Sequence, residues 1–178
     1  MVTVMKEMQF PVSVRWRGGR LAHADARDKD SLELATPPEF RGGLAGYWSP
    51  EDLLIAATAS CFALTLAAVA ERMDAPLLDA TVSATGHMSR RDDGRFGFTV
   101  IELDAVLETV AGGEDAVAAA AAEAEDRCLV SRALEVPVHV AVQVKPVADR
   151  PATSLGDQSA GGSGSTRIRW APGEKSRI

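Results

Sequence analysis

The sequence predicts an α+β domain, and three observations carry that prediction. Short stretches of period-two alternation fill the chain up to Leu34, an uncharged apolar run extends from Leu53 to Ala70, and an alanine-rich run extends from Glu114 to Leu134. Alternation of period two marks strands with one wet face, and long runs of good helix formers bounded by acids and prolines mark helices. The strands come in groups instead of alternating singly with helices. That pattern favours segregated helices and antiparallel sheets over βαβ units.

The opening segments VTVMKEMQF, VSVRWRGG with its turn at Gly18-Gly19, RLAHADA and SLELAT each read as an antiparallel strand. Pro37, Pro38, Gly42, Gly43 and Gly46 then make a loop that cannot be helical. Ser49-Pro50-Glu51-Asp52 is a strong helix start, with serine as N-cap, proline at the first helical position and two acids against the positive end of the dipole. The helix runs to about Met73 and Pro76 stops it. ATVSATGHMSRR and RFGFTVIELDAVLETV form a hairpin about Asp92-Asp93-Gly94. A second helix spans Glu114 to Leu134, Pro137 ends it, and VPVHVAVQVKP supplies the last strand.

The domain is therefore expected over residues 1–146. Residues 147–178 are rich in Gly, Ser, Pro and charge without an apolar period, and read as a flexible tail. With five basic residues (Arg150, Arg167, Arg169, Lys175, Arg177) and three acidic ones (Asp149, Asp157, Glu174), the tail carries +2, which leaves −8 on the domain out of the chain's −6. Its segment RIRW reads either as a partner-binding element or as a solvated appendage.

Charge and motif content narrow the function classes. An acidic chain, with 19 Lys+Arg against 25 Asp+Glu, offers no basic surface for a phosphate backbone, so nucleic acid is not an expected partner. The start lacks the layout of a secretory signal, and a cytoplasmic location is expected. Leu53 to Ala70 approaches the length of a membrane span, yet much of it is alanine with Thr58, Ser60 and Thr65 interspersed, and charges abut both ends. It reads as a central core helix and no membrane contact is expected. The two cysteines, Cys61 and Cys128, and the three isolated histidines have no paired metal-ligand spacing, and no Gly-rich nucleotide loop or serine-nucleophile elbow is present. No metal or other cofactor is expected. Thiol chemistry or plain binding remains.

Cys61 sits near the middle of the first helix and Cys128 in EDRCLVSRAL. A buried cysteine behaves as a small hydrophobe unless a cation or hydrogen-bond donors favour its thiolate, so the residues alone leave both readings open. The stretch PPEFRGGLAGYWSPEDLLIAATASCFALTL followed by DRCLVSRAL resembles the OsmC/Ohr family of cysteine peroxidases, over roughly Val12 to Lys145. The resemblance lies in the ordered set: a Gly-rich loop, Pro-Glu at the helix start, a cysteine ten residues after the glutamate in an Ala-Ser-Cys-Phe context, and a second cysteine before Val-Ser-Arg-Ala-Leu. Leu129 stands where the family commonly has proline, and Tyr47-Trp48-Ser49 where Gly-Thr-Asn is usual, which marks a divergent member.

That resemblance implies catalytic roles for Cys61, Cys128, Arg41 and Glu51. Cys61 is the implied peroxidatic thiolate, Cys128 the resolving thiol, Arg41 the cation that activates Cys61, with Arg17 or Arg20 as the other candidates, and Glu51 the acid that orients the arginine. It also implies reduction of organic hydroperoxides, fatty-acid hydroperoxides among the candidates, in oxidative-stress defence, with a dithiol reductant of the lipoyl kind and an intertwined homodimer. Helix geometry agrees on the last point: ten residues give a rise of about 15 Å and a rotation of about 280°, so Glu51 and Cys61 of one helix cannot share a site and a second chain is needed. The competing reading is a non-enzymatic protein that holds a small hydrophobic ligand beside the first helix, with both cysteines as packing residues.

Overall fold

The computed structural model describes residues 7–147 in nine elements: β1 (Val12–Gly18), β2 (Leu21–Ala26), β3 (Leu32–Ala35), α1 (Pro50–Arg72), β4 (Leu77–Arg90), β5 (Phe96–Thr109), α2 (Glu114–Arg127), α3 (Leu129–Ala133) and β6 (Val138–Pro146). The strands make two three-stranded sheets, in the orders β1-β2-β3 and β4-β5-β6. The predicted tail lies outside the described residues from position 148 onward, and so do residues 1–6.

Of the first predicted strand, VTVMKEMQF, the described residues 7–10 lie in no strand and the earlier ones lie outside the described residues, while the second, VSVRWRGG, is β1. Residues 7–11 are outside any strand and pairing starts at Val12, opposite Ala26. Pro11 has no N–H to give to a ladder, so the strand begins after it. Gly18 and Gly19 take positive φ at the β1–β2 turn, as Gly94 does at the predicted β4–β5 turn.

The α1 start is as the sequence dictates. Ser49 Oγ accepts from the Asp52 N–H at 3.0 Å while Asp52 Oδ2 accepts from the Ser49 N–H at 2.9 Å, a reciprocal capping box. At the other end α1 closes at Arg72 with Met73 as C-cap, as expected: Asp74 takes φ 53° and the Ala75 N–H bonds the Ala70 carbonyl at 2.9 Å, the Schellman closure.

Two expectations are corrected. The second helix does not run unbroken to Leu134: Cys128 has ψ 108°, which ends α2 and starts the short α3. No glycine or proline marks the break. Cys128 is 1% exposed, and the kink turns it into the core. The last strand is not antiparallel either, since β6 runs parallel to β5 from Ile101↔Val138 to Thr109↔Pro146. Two helices between the strands return the chain to the end from which β5 started, and that requires parallel entry. A β-α-β crossover therefore closes a fold that otherwise has segregated elements.

The core lies between α1, α2 and the sheet β4-β5-β6. Phe62 and Leu66 of α1 meet Ile101, Leu103 and Leu107 of β5 and Val117, Ala120 and Ala124 of α2, all essentially without exposure. Each large side chain so buried contributes about 1.5–3 kcal/mol of transfer free energy. Gly86 of β4 lets α1 come close, because a Cβ there would stand 2.5 Å from Ile55 Cδ1 and 2.6 Å from Phe98 Cε1. Gly86→Ala is accordingly expected to destabilise the fold by about 1–3 kcal/mol, measured as a lower denaturant midpoint at unchanged slope; an unchanged midpoint would show that Ile55 has room to move.

Part of the apolar surface finds no cover within the described residues. Only 28% of the most apolar 18-residue stretch of α1 is buried, although the helix is long and apolar enough to cross a membrane. Val12, Val14 and Trp16, successive residues on one face of the edge strand β1, are also exposed. The sheet β1-β2-β3 joins the rest mainly through the Leu34↔Trp48 bridge and the bond from the Ala35 N–H to the Trp48 carbonyl at 3.0 Å.

Candidate active site

The structure brings the two cysteines together. Cys61, half-buried on α1, and Cys128, at the α2–α3 kink, are both free thiols, and Cys128 lies close enough to direct its thiol hydrogen at the Cys61 sulfur. The kink that the helix pattern concealed creates this meeting, since the turn at Cys128 aims the first N–H groups of α3 back at α1. The Val130 N–H donates to Cys61 Sγ at 3.5 Å, and Ser131 Oγ donates to Cys128 Sγ at 3.1 Å.

These contacts set the acidity of Cys61. Burial pushes the thiol's pKa up, but the Val130 N–H, the Cys128 and Thr65 side chains and the Leu129 N–H together outweigh burial and hold it below its ordinary value. Sulfur here accepts more readily as thiolate. The sign for reactivity follows: the thiolate fraction, and with it the alkylation rate by iodoacetamide, is expected to rise with pH through a midpoint below the roughly 8.5 of a free thiol. Stability shifts the same way, because between the two midpoints the unfolded chain holds the proton that the folded chain has lost, so stability grows as pH rises through that window. An alkylation midpoint at or above that of free cysteine would contradict the contacts.

Glu51 and Arg41 are not part of this cluster within one chain. Glu51 opens onto a different face of α1, in a cavity of about 960 Å³ whose walls include Phe40, Trp48, Ile55, Met88, Phe96 and Phe98. Its Oε2 is buried and has no hydrogen-bond partner among the described residues. A buried carboxylate oxygen left unpaired is costly, and a guanidinium is the group that would satisfy it best. Arg41 is exposed in the loop before α1 and forms no ion pair among the described residues. Of the two other candidates, Arg20 packs on the same loop, its Nε 3.4 Å from where a Gly42 Cβ would be, and Arg17 is exposed on β1.

Cys61 itself opens onto a second, smaller cavity of about 480 Å³ that also takes in Leu64, Thr65, Ala68, Arg72 and Arg127. Sequence reading passed over Thr65, Arg72 and Arg127. The first two were findable, since 61, 64, 65, 68 and 72 fall on one face of a helix by their spacing. Arg127 was hidden by the unforeseen kink beside it. Among the described residues no three His, Cys, Asp or Glu side chains gather as a metal centre needs.

Comparison with known proteins places this geometry. Residues 43–143 match the family described as OsmC-like protein, a span that includes Glu51, Cys61 and Cys128 and begins just after Arg41. No curated protein matches the chain in sequence. Among solved structures, an OsmC-like protein of unknown function from Vibrio cholerae superposes with TM-score 0.70 at 14% identity, covering 77% of this chain and 100% of that one. An organic hydroperoxide resistance protein from Elizabethkingia anophelis gives 0.65 at 23% identity over 80% of this chain and 99% of its own. An organic hydroperoxide resistance protein, OsmC, from Legionella pneumophila gives 0.65 at 26% identity over 80% and 100%. With the two cysteines and the acid inside a matched span that takes up more than half of its length, the chain belongs to the OsmC-like family.

Proposed function

We propose that the protein is a thiol peroxidase that reduces organic hydroperoxides in a homodimer with two equivalent sites. The observation that carries the reading is the meeting of two free thiols, one of them with its sulfur under an N–H donor and its acidity raised. The hydroperoxide resistance relatives from Elizabethkingia and Legionella support it.

The Cys61 thiolate attacks the terminal oxygen of the hydroperoxide. The S–O bond forms as the O–O bond breaks, the alkoxide takes up a proton to leave as alcohol, and Cys61 is left as sulfenic acid. The Cys128 thiolate then attacks the Cys61 sulfur, the S–S bond forms and water departs. A dithiol, with a lipoyl-type carrier as the expected class, returns both cysteines to thiols by exchange and is itself oxidised to its disulfide.

A second copy completes the site in this reading. Glu51 lies on another face of α1 from Cys61, its buried oxygen lacks a donor, and the exposed faces of α1 and β1 need cover. Glu51 and Arg41 of one protomer then serve Cys61 of the other, the arginine favouring the thiolate and stabilising charge on the leaving oxygen. Steady-state assay tests the reading: cumene hydroperoxide is consumed faster than hydrogen peroxide, and dihydrolipoamide supports turnover better than a monothiol. Absence of turnover with any of these would overturn it. The large cavity beside Glu51 favours one other reading, a binder of hydrophobic ligands, and an apolar compound copurifying with a peroxide-inert protein would establish that instead.

A further inference from the structure

Ser131 has no part in the reaction described above, yet its hydroxyl touches a reacting atom, donating to Cys128 Sγ at 3.1 Å. A hydroxyl within a helix commonly turns back to a carbonyl one turn earlier. Those of α1 do so: Thr58 Oγ1 donates to the Leu54 carbonyl at 2.8 Å and Ser60 Oγ to that of Ala56 at 2.7 Å. Ser131 departs from that habit because ψ 108° at Cys128 breaks the helix between α2 and α3, and no carbonyl four residues back stands in helical register with it. The kink is tied on both sides, by the Arg132 N–H on the Cys128 carbonyl at 3.1 Å and by Arg132 Nη1 on the Asp126 carbonyl at 3.1 Å. With its own hydrogen directed at Cys61, Cys128 Sγ has lone pairs left for the serine. The three groups form a chain, from hydroxyl to thiol to peroxidatic sulfur. Cys128 is 1% exposed, so water has little access to charge on its sulfur.

We infer that Ser131 is a catalytic residue of the resolving step, holding by its hydrogen bond the negative charge that develops on Cys128 Sγ as it attacks Cys61. In that step the S–S bond forms, the S–O bond of the Cys61 sulfenic acid breaks, and the proton of Cys128 ends on the departing oxygen as water. The Cys128 sulfur is oxidised and the Cys61 sulfur reduced, so no outside reagent enters. The Ser131 proton stays on its own oxygen. Ser131 thereby sets how long the sulfenic acid survives, and with it how much a second peroxide converts to sulfinic acid. The sulfenic acid rests on the peroxidase reading, whereas attack by Cys128 on an electrophilic sulfur at Cys61 can be measured without any peroxide.

The test mixes the full-length reduced protein with one equivalent of dithiobis(nitrobenzoic acid), whose released thiolate is coloured. The first release reports attack by Cys61, the more accessible thiol, and the second reports attack by Cys128 on the mixed disulfide at Cys61. Ser131→Ala is expected to slow the second release by about tenfold, the effect of losing one hydrogen bond to a charged group, and to leave the first unchanged. Ser131→Thr keeps the hydroxyl and is expected to restore the second release. With cumene hydroperoxide, Ser131→Ala is expected to consume the first equivalent at the unaltered rate, to close the Cys61–Cys128 bridge about tenfold more slowly, and in excess peroxide to gather two added oxygens on Cys61. An unchanged second release in Ser131→Ala, equal slowing of both releases, or failure of Ser131→Thr to restore the second would overturn the inference. A slowed second release in a protein that consumes no peroxide upholds the role of Ser131 and removes the peroxidase reading instead.

Discussion

Replacing Cys61 by serine is expected to abolish peroxide reduction, by at least about a thousandfold in kcat/KM, because a serine hydroxyl at neutral pH offers neither the charge nor the polarisability of a thiolate. Replacing Cys128 by serine is expected to separate the two half-reactions. Peroxide is still consumed in the first turnover, and Cys61 then accumulates as sulfenic acid, detectable as one added oxygen and trappable with dimedone. The position of Cys128 at the kink, its hydroxyl-bearing neighbour Ser131 3.1 Å from its sulfur, makes it the nearest thiol able to resolve that intermediate. A Cys61→Ser variant with measurable turnover would move the chemistry to Cys128 alone.

The second large effect concerns the assembly. Glu51→Ala is expected to lower kcat/KM by about a hundredfold, the scale of removing one group that organises transition-state electrostatics. Mixing Cys61→Ser subunits with Glu51→Ala subunits and allowing exchange is then expected to restore activity. Each mixed dimer has one site with both lesions and one with neither, so a random mixture regains about a quarter of the intact sites. No recovery would mean that Cys61 and Glu51 of the same chain serve each other. Arg41→Ala is expected to complement as Glu51→Ala does and to raise the Cys61 alkylation midpoint. If that midpoint is unmoved, the activating role passes to Arg17 or to Arg20, which already packs on the loop that carries Arg41.

The parts of this picture that were legible in the sequence are those where local chemistry decides. Ser49, Pro50 and Asp52 announce the start of α1 because N-capping depends on four consecutive residues, and the Asp92-Asp93-Gly94 turn fixes the β4–β5 hairpin for the same reason. The separation of Glu51 from Cys61 was legible too, as a rotation along a regular helix. The kink at Cys128 was not, because EDRCLVSRAL holds nothing that forbids a helix, and the break comes from the tertiary burial of Cys128 against α1. Nor was the parallel entry of β6 legible: alternation in VPVHVAVQVKP gives a strand but not its direction, which is set by where two intervening helices return the chain. The arginines that line the cavity at Cys61 depend on both effects, Arg72 on a face of α1 that could be counted and Arg127 on a kink that could not.

The central claim is that Cys61 and Cys128 are a peroxidatic and resolving pair, and intact mass after one equivalent of cumene hydroperoxide, with non-reducing peptide mapping, tests it most directly. The account predicts rapid loss of two hydrogens and a single Cys61–Cys128 bridge within one chain, formed faster than with one equivalent of hydrogen peroxide. Two free thiols surviving an excess of the organic peroxide would contradict it.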